Sequence, residues 1–448
     1  MPAPAPQPPI FVAPPPTDAL VANRTVAPAP GLLAAQAPIG AVTPRQQAQR
    51  ALTAIEGSYS GFLGATGVGR FRSGTAGLDR LYDFETPVEA SAVIGRTVRV
   101  TAVAQPVFLN SGLVSGTGSA PKTLPYLGRL PSSSAVVPAQ QFSNGVGGEL
   151  QIATRLLGVA AGYTPYQFLV HNFTARVRLT PLGEHLVLYG ERQPVKDTQL
   201  SYAGLRDPGV SAGGRPVWGG VIATSGGMRV AGGSPVSAFS ADAQGGVLTG
   251  RHVQDNSFVR GSAQAQFRMK SWGSGGSLSL GGLFEGMHYQ RNEYGLSYGR
   301  GGYFSPAYYF AGAVPVTVRG GGDTNFHYDV EASAGVRSFR QDAAAFFPLD
   351  SALQGSFVSC GAGALTYACG YYPRAVTTGF EYAVRGEFSY RFRERWYGGG
   401  FVRSSNRNNY QDVGAGFFLR YTFRRQATAE GRPTGLFATE GIRPLQIP

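Results

Sequence analysis

The sequence predicts an all-β protein, a transmembrane antiparallel β-barrel of about 16 strands preceded by a Pro/Ala-rich linker and a short helix. Only 15% of the 448 residues are charged, whereas soluble globular chains average about 25%. No stretch approaches the roughly 20 consecutive apolar residues of a membrane helix. Long segments alternate with a period of two, and only helices and closed barrels satisfy their backbone groups in lipid.

The N-terminal part of the chain predicts no barrel strand. Residues 1–42 are rich in Pro and Ala and predict an extended linker. The first residues have neither the charged nor the apolar segment of a secretion signal, so we expect the chain to be part of a longer protein. Residues 43–86 predict a short helix over 44–56, with Thr43 as its N-cap, and then a Gly-rich lead-in.

Residues 87–425 predict the barrel, and the period of two is clearest over residues 380–393. One face of that segment is aromatic and aliphatic, mixed with Gly, and the other carries Arg and Glu in mid-strand. A soluble β-sandwich would have to bury the apolar face, but small residues fill a core poorly. In a membrane barrel, the apolar face would contact lipid and the charged face would line a water-filled lumen. The same alternation occurs in four further segments: 173–180, 259–270, 326–337 and 413–424.

Long connections rich in Gly, Pro and Ser interrupt the alternation at about 110–145, 192–217, 289–325 and 340–378. They predict either outside loops or plugs folded into the lumen. The last segment, residues 426–448, predicts a C-terminal tail that returns to the periplasm or enters the lumen.

The net charge of +13 comes almost entirely from Arg, since the chain has 39 basic residues and only three of them are Lys. Basic chains bind nucleic acids, anionic lipids or acidic ligands. Stacking aromatics interleaved with basic clusters, as in nucleic-acid folds, are missing from the sequence. The charge therefore predicts Arg side chains that line a wet lumen and contact lipopolysaccharide phosphates. A positive lumen would also suit an acidic polymer.

Two cysteines, Cys360 and Cys369, lie close together in the sequence. One close pair in a Cys-poor chain is typical of an oxidising periplasm or cell surface and predicts a loop disulfide. Two buried free thiols are the alternative. A metal site is not predicted, because no His lies nearby.

The sequence predicts neither a catalytic site nor a cofactor. A hydrolase needs a nucleophile beside an oriented His, and no GxSxG segment occurs. The chain has five scattered His: His171, His185, His252, His288 and His327.

Seven segments resemble the C-terminal outer-membrane domain of the cellulose synthase operon protein C family. They are RSGTAGLDRL (72–81), SYAGLRDP (201–208), WGGV (218–221), GMHYQRNEYGLSYGRGGYFSP (286–306), PVTVRG (315–320), FFPLD (346–350) and DVGAGFFLRYTF (412–423). Segment 286–306 is the most specific, and the resemblance covers roughly residues 70–425.

The resemblance implies an outer-membrane β-barrel that exports cellulose, a β-1,4-glucan made by an inner-membrane synthase complex. In the family, a periplasmic scaffold of tetratricopeptide repeats precedes the barrel. This chain shows no 34-residue period, so a scaffold would act in cis from a longer chain or in trans. The implied partners are the glucan, the scaffold, the synthase, and outer-membrane lipid with lipopolysaccharide. A porin, or an exporter of a different and acidic polysaccharide, is the alternative.

A glucan conduit needs aromatic or Arg planes against the sugar faces and hydrogen-bond partners along the edges. The densest such segment is 289–310, which predicts a loop that lines or gates the exit. A purely structural loop, whose aromatics pack on each other, is the alternative. The predicted site residues are Tyr289, Arg291, Tyr294, Tyr298, Arg300, Tyr303, Phe304 and Tyr308. Arg206 and Asp207 predict a luminal ion pair, or else a weak pair at the rim.

Overall fold

The chain forms a closed antiparallel barrel of sixteen strands. The computed structural model describes residues 60–95, 97–114, 139–206, 216–234, 236–273, 276–321, 325–355, 365–406 and 410–424. In chain order the strands are β1 (Phe62–Arg72), β2 (Leu81–Glu85 continued by Val88–Ile94), β3 (Val98–Val114), β4 (Ala139–Ala153), β5 (Leu157–Tyr163), β6 (Phe173–Leu179), β7 (Leu186–Pro194), β8 (Val217–Gly233), β9 (Ser237–Arg251), β10 (Asn256–Trp272), β11 (Gly276–Tyr289), β12 (Tyr308–Gly320), β13 (Phe326–Gln341), β14 (Ala375–Arg393), β15 (Trp396–Ser405) and β16 (Asp412–Thr422).

The first and last strands close the barrel. β1 pairs with β16 along its whole length, from Phe62 opposite Thr422 to Arg72 opposite Asp412. Closure removes the unpaired strand edges that lipid cannot tolerate. The predicted fold class and the predicted number of about 16 strands are therefore confirmed.

The predicted assignment of the two strand faces is also confirmed. On β14, Phe380 is 61% exposed whereas its neighbour Glu381 is 1% exposed. Large apolar side chains on the outside alternate with buried polar ones on the inside, as a lipid-facing surface and a polar lumen require. β16 shows the same contrast between exposed Phe417 and buried Arg420.

Two predicted boundaries are wrong. The barrel begins at Phe62 and not at residue 87, because β1 and the first part of β2 lie in the predicted lead-in. The outer face of β1 carries Gly and Ala where other strands carry bulky apolar residues, so its alternation with a period of two is not visible in the sequence. The predicted connection 289–325 contains a whole strand, β12. The linker 1–42, the helix 44–56 and the tail 426–448 lie outside the described residues.

Short and long connections segregate to opposite ends of the barrel. Short turns join β2 to β3, β8 to β9, β10 to β11 and β14 to β15, whereas long segments join β7 to β8, β11 to β12 and β13 to β14. In outer-membrane barrels the short turns face the periplasm and the long loops face outwards. The described residues include no helix long and apolar enough to span a bilayer.

Candidate functional site

The lumen wall is polar, and many of its charges are paired within the wall itself. Arg70 Nη2 lies 2.6 Å from Asp412 Oδ2, and Arg420 is paired with Glu89. Three further pairs are Arg176–Glu149, Arg319–Asp329 and Arg385–Glu387. Such pairs supply hydrogen-bonding groups while their opposite charges cancel locally.

Two connections fold into the barrel at the long-loop end, and we call residues 195–206 and 290–307 the inward loops. The first contains helix α1 (Gln199–Ala203), every residue of which is buried. The Gln199 side chain reaches Ser143 on β4. Because the loop connects β7 to β8, several strands away around the barrel, it reaches β4 only through the lumen.

Glycines allow α1 to pack directly against β8. Gly219 has a φ of 103°, and a Cβ atom there would lie 2.2 Å from the Leu200 carbonyl oxygen. Gly204, with a φ of 78°, ends α1, and a Cβ atom there would lie 2.8 Å from Val170. Only glycine adopts such angles at low cost. Residues 201–206 and the segment WGGV therefore form one packed unit.

A hydrophobic cluster fills the space between the inward loops and the wall. Phe304 packs edge-on against Phe339 of β13, with ring centroids 5.2 Å apart. The Thr198 hydroxyl donates to the Gly302 carbonyl over 2.9 Å, so the two inward loops bind each other directly. Buried members of the cluster include Leu200, Leu205, Trp218, Phe258, Tyr289, Leu296, Tyr303, Phe304, Tyr309 and Phe339.

Asp197, in the first inward loop, contacts three other parts of the chain. Its Oδ1 lies 3.6 Å from Arg72 Nε at the end of β1 and accepts from the Tyr410 hydroxyl over 3.2 Å. Its Oδ2 accepts from the Phe304 backbone N–H over 3.0 Å. The Arg72 guanidinium also stacks 4.2 Å from the Tyr410 ring centroid. Burial raises the pKa of Asp197 to about 6, and the charge of Arg72 opposes that rise.

A second buried pair connects the inward loops to the connection between β13 and β14. Arg300 Nη1 lies 2.7 Å from Glu293 Oε1, and Arg300 Nε donates to the Ala345 carbonyl over 2.9 Å. The Ser297 hydroxyl donates to the Phe346 carbonyl. Burial raises the pKa of Glu293 to about 7, against the opposing charge of Arg300. The connection after β13 therefore packs onto the second inward loop.

Most predicted site residues come together in or beside the second inward loop. Tyr289, Arg300, Tyr303 and Phe304 are buried, Tyr294 and Tyr298 are half-buried, and Arg291 is exposed. Their buried members pack between the first inward loop and the barrel wall.

Tyr308 is placed differently from the prediction. It lies on the outer face of β12, where its ring stacks 5.9 Å from that of Phe310, and Phe310 is 53% exposed. Its neighbour Tyr309 points inwards and donates to Glu381 Oε2 over 2.8 Å. Tyr308 therefore belongs to the lipid-facing surface or its rim.

Two further predictions fall partly outside the described residues. Arg206 is exposed at the end of the first inward loop, but Asp207 lies outside the described residues, so their ion pair stays a prediction. Cys369 is buried in the turn Tyr367–Cys369. Cys360 lies outside the described residues, and the disulfide stays a prediction as well.

The sequence did not reveal Arg72, Asp197 or Tyr410 as members of the site. Arg72 begins the segment RSGTAGLDRL, which resembles the family but gives no sign of a buried ion pair. Asp197 and Tyr410 lie in connections with no distinctive spacing. A lone Asp in a loop is usually solvated, and only the folded barrel brings these residues together.

Comparison with known proteins identifies the family. The family model "Cellulose synthase operon protein C C-terminus" matches residues 79–424. The chain belongs to this family. Family membership, the apolar outer surface and the polar lumen together make it a porin-like β-barrel of the Gram-negative outer membrane.

Members with curated descriptions are moderately similar. "Cellulose synthase operon protein C" of Pseudomonas fluorescens is 28% identical over 383 residues, which is 84% of this chain and 28% of the relative. Its namesake from Komagataeibacter xylinus is 30% identical over 317 residues, 64% of this chain and 22% of the relative. The chain thus spans about a quarter of the length of these relatives.

Two solved structures match most of this chain at low sequence identity. A "bacterial polysaccharide outer membrane secretin" matches with a TM-score of 0.47 and 10% identity, over 82% of this chain and 99% of that one. Acinetobacter baumannii OccAB2 matches with a TM-score of 0.34 and 9% identity, over 82% of this chain and all of that one (100%).

Proposed function

We propose that this barrel is the outer-membrane channel through which a β-1,4-glucan, cellulose, leaves the cell. The observation that carries the proposal is a closed barrel with a polar lumen in a chain of the cellulose synthase operon protein C family. The barrel acts as a passive conduit and not as an enzyme. The inner-membrane synthase that lengthens the glucan supplies the driving force, and a periplasmic tetratricopeptide scaffold delivers the polymer to the short-turn end.

The pairing of luminal charges supports a neutral polymer. Several luminal arginines have a carboxylate partner on a nearby strand of the wall, as Arg70, Arg420 and Arg176 do. An acidic polymer would be attracted by unpaired cations, whereas a glucan needs exchangeable hydrogen-bond partners. Modest contacts along the path let the polymer advance without stalling, as in other pores.

The inward loops supply a gate in this proposal. Export requires residues 195–206 and 290–307 to leave the lumen or to separate from each other. Such a movement breaks the contacts of Asp197 with Arg72 and Tyr410 and the hydrogen bond between Thr198 and Gly302. The buried contacts hold the closed arrangement, and the polymer competes with them for the same space.

Deletion of the gene in its host tests the proposal. Glucan released to the medium and glucan retained by the cells are measured in the deletion strain, with and without the whole protein restored. We expect released glucan to disappear on deletion and to return on restoration. Unchanged release in the deletion strain would rule out cellulose export and leave only the outer-membrane barrel.

A further inference from the structure

A β-bulge at the short-turn end places a basic side chain on the outer face of β14. Strict alternation predicts Arg393 on the luminal face. The register shifts between Arg391 and Arg393, so Arg393 pairs with Trp396, which in turn pairs with Tyr421. Paired residues in neighbouring strands face the same side of the sheet. Tyr421 is in phase with Leu419, which is 45% exposed, so Arg393 faces outwards.

β10 contains the same arrangement. Its register shifts between Arg268 and Lys270, and Lys270 then pairs with Leu278, which is in phase with exposed Leu280. Lys270 is exposed two residues before Trp272, which is exposed as well. Bulges commonly serve to re-aim a side chain. Here two bulges at the same end each turn a cation outwards beside a tryptophan.

The larger of the two sites consists of Arg393, Arg395, Trp396, Tyr421 and Phe423, which we call the outer-rim patch. Arg395 Nη1 donates to the Tyr421 hydroxyl over 3.2 Å. The Trp396 and Tyr421 rings pack with centroids 5.1 Å apart, and the Tyr421 and Phe423 rings with centroids 5.8 Å apart. All five residues lie next to a short turn, on the periplasmic side of the bilayer.

The chemistry of the patch fits one kind of ligand. Guanidinium groups bind phosphate in a bidentate manner, and Trp and Tyr settle at the level of lipid headgroups. Exposed Arg424 adds positive charge next to Phe423, while Glu394 in the turn offsets part of it. We propose that the outer-rim patch binds the phosphate headgroup of an anionic phospholipid in the inner leaflet of the outer membrane. Lys270 and Trp272 form a second, smaller contact of the same kind.

Tryptophan fluorescence can test this proposal, because the chain has three Trp residues and Trp218 is fully buried. Trp272→Phe therefore leaves Trp396 as the only lipid-exposed tryptophan. The full chain with this change is reconstituted in bilayers that contain brominated phosphatidylglycerol or, at equal fraction, brominated phosphatidylcholine. We expect stronger quenching by the anionic lipid. Arg393→Gln combined with Arg395→Gln should reduce the preference by about fivefold per arginine.

The matched control removes two exposed arginines at the opposite end, Arg251→Gln with Arg374→Gln, and should keep the preference. Buried Trp218 emission and heat-dependent gel migration show that each variant folds. Equal quenching by both lipids, or a preference that survives loss of Arg393 and Arg395, would overturn the proposal.

Inorganic phosphate is added to the protein in detergent as a separate experiment. A change in Trp396 emission there, abolished in the double variant, would assign the patch to free phosphate and also overturn it.

Discussion

Arg72 is the cation that connects the first inward loop to β1, because it is buried beside both Asp197 and Asp79. Replacing it by Met removes the nearest cation from two buried carboxyl groups, although Arg70 still acts on Asp197. Breaking one side of a buried ion pair typically costs about 3–5 kcal/mol. We expect Arg72→Met to weaken the closed arrangement and to raise the single-channel conductance in planar bilayers at neutral pH.

An exposed pair provides the control for this change. Arg340 Nε lies 2.9 Å from Asp342 Oδ1, and both side chains are substantially exposed. Exposed pairs contribute about 0–1 kcal/mol, so Arg340→Met should leave the conductance unchanged. Equal conductance in the wild-type and Arg72→Met channels would show that the Asp197 contacts do not hold the loops in the lumen.

The pH dependence of the channel follows from the same buried carboxyl groups. Burial raises the pKa of Asp197 to about 6 and that of Glu293 to about 7. A carboxyl group with a raised pKa binds its proton more tightly when buried, so the closed arrangement gains stability as the pH falls through these values. We expect lower conductance at about pH 5 than at about pH 8. An increase on acidification would contradict this assignment.

Acidification should also act on the Arg72→Met channel. When Asp197 and Asp79 are protonated they are neutral, so their burial without Arg72 costs less free energy. The closed arrangement should therefore regain part of its stability, and the conductance of the variant should fall, at about pH 5. Conductance of the variant measured at both pH values tests this. If acidification does not lower it, the effect of the variant has a cause other than unpaired buried charge.

At the scale of secondary-structure elements, the contact between α1 and β8 depends on Gly219. Its φ of 103° strains any other residue, at a cost of about 1–3 kcal/mol. Gly219→Ala would in addition push a Cβ atom against the Leu200 carbonyl and displace α1. We expect larger conductance and faster proteolysis of the first inward loop.

Gly312 on β12 is the matched control, because a Cβ atom there has no neighbour within 4 Å. Gly312→Ala should therefore change neither conductance nor proteolysis. If Gly219→Ala also changes neither property, the contact between α1 and β8 does not hold the first inward loop in place.

At the scale of the whole molecule, the paired luminal charges predict which polymers enter the channel. A channel opened by Arg72→Met is exposed to neutral cello-oligosaccharides or to anionic oligogalacturonates of equal length. We expect the neutral oligomers to block the single-channel current more strongly, since luminal arginines such as Arg70 and Arg420 are already neutralised by Asp412 and Glu89. Stronger block by the anionic oligomers would favour export of an acidic polysaccharide.

The sequence alone determined the barrel, the faces of its strands and, within the segment 289–310, a loop dense in aromatic residues. These features are local, because a period of two and a dense aromatic run can be read from neighbouring residues. β1 escaped the prediction because Gly64, Ala65, Gly67 and Gly69 erase the contrast between its faces. Arg393 escaped it because one extra residue in a strand reverses every following face.

Only the tertiary structure decided that residues 195–206 and 290–307 fold into the barrel and which residues hold them there. Arg72, Asp197 and Tyr410 are far apart in the sequence, and no local pattern relates one to another. They meet because β1 and β16 close the barrel, which brings the first and last strands to the wall that the first inward loop reaches. Alternation specifies on which side of the wall a residue lies, whereas barrel closure specifies what it contacts across the lumen.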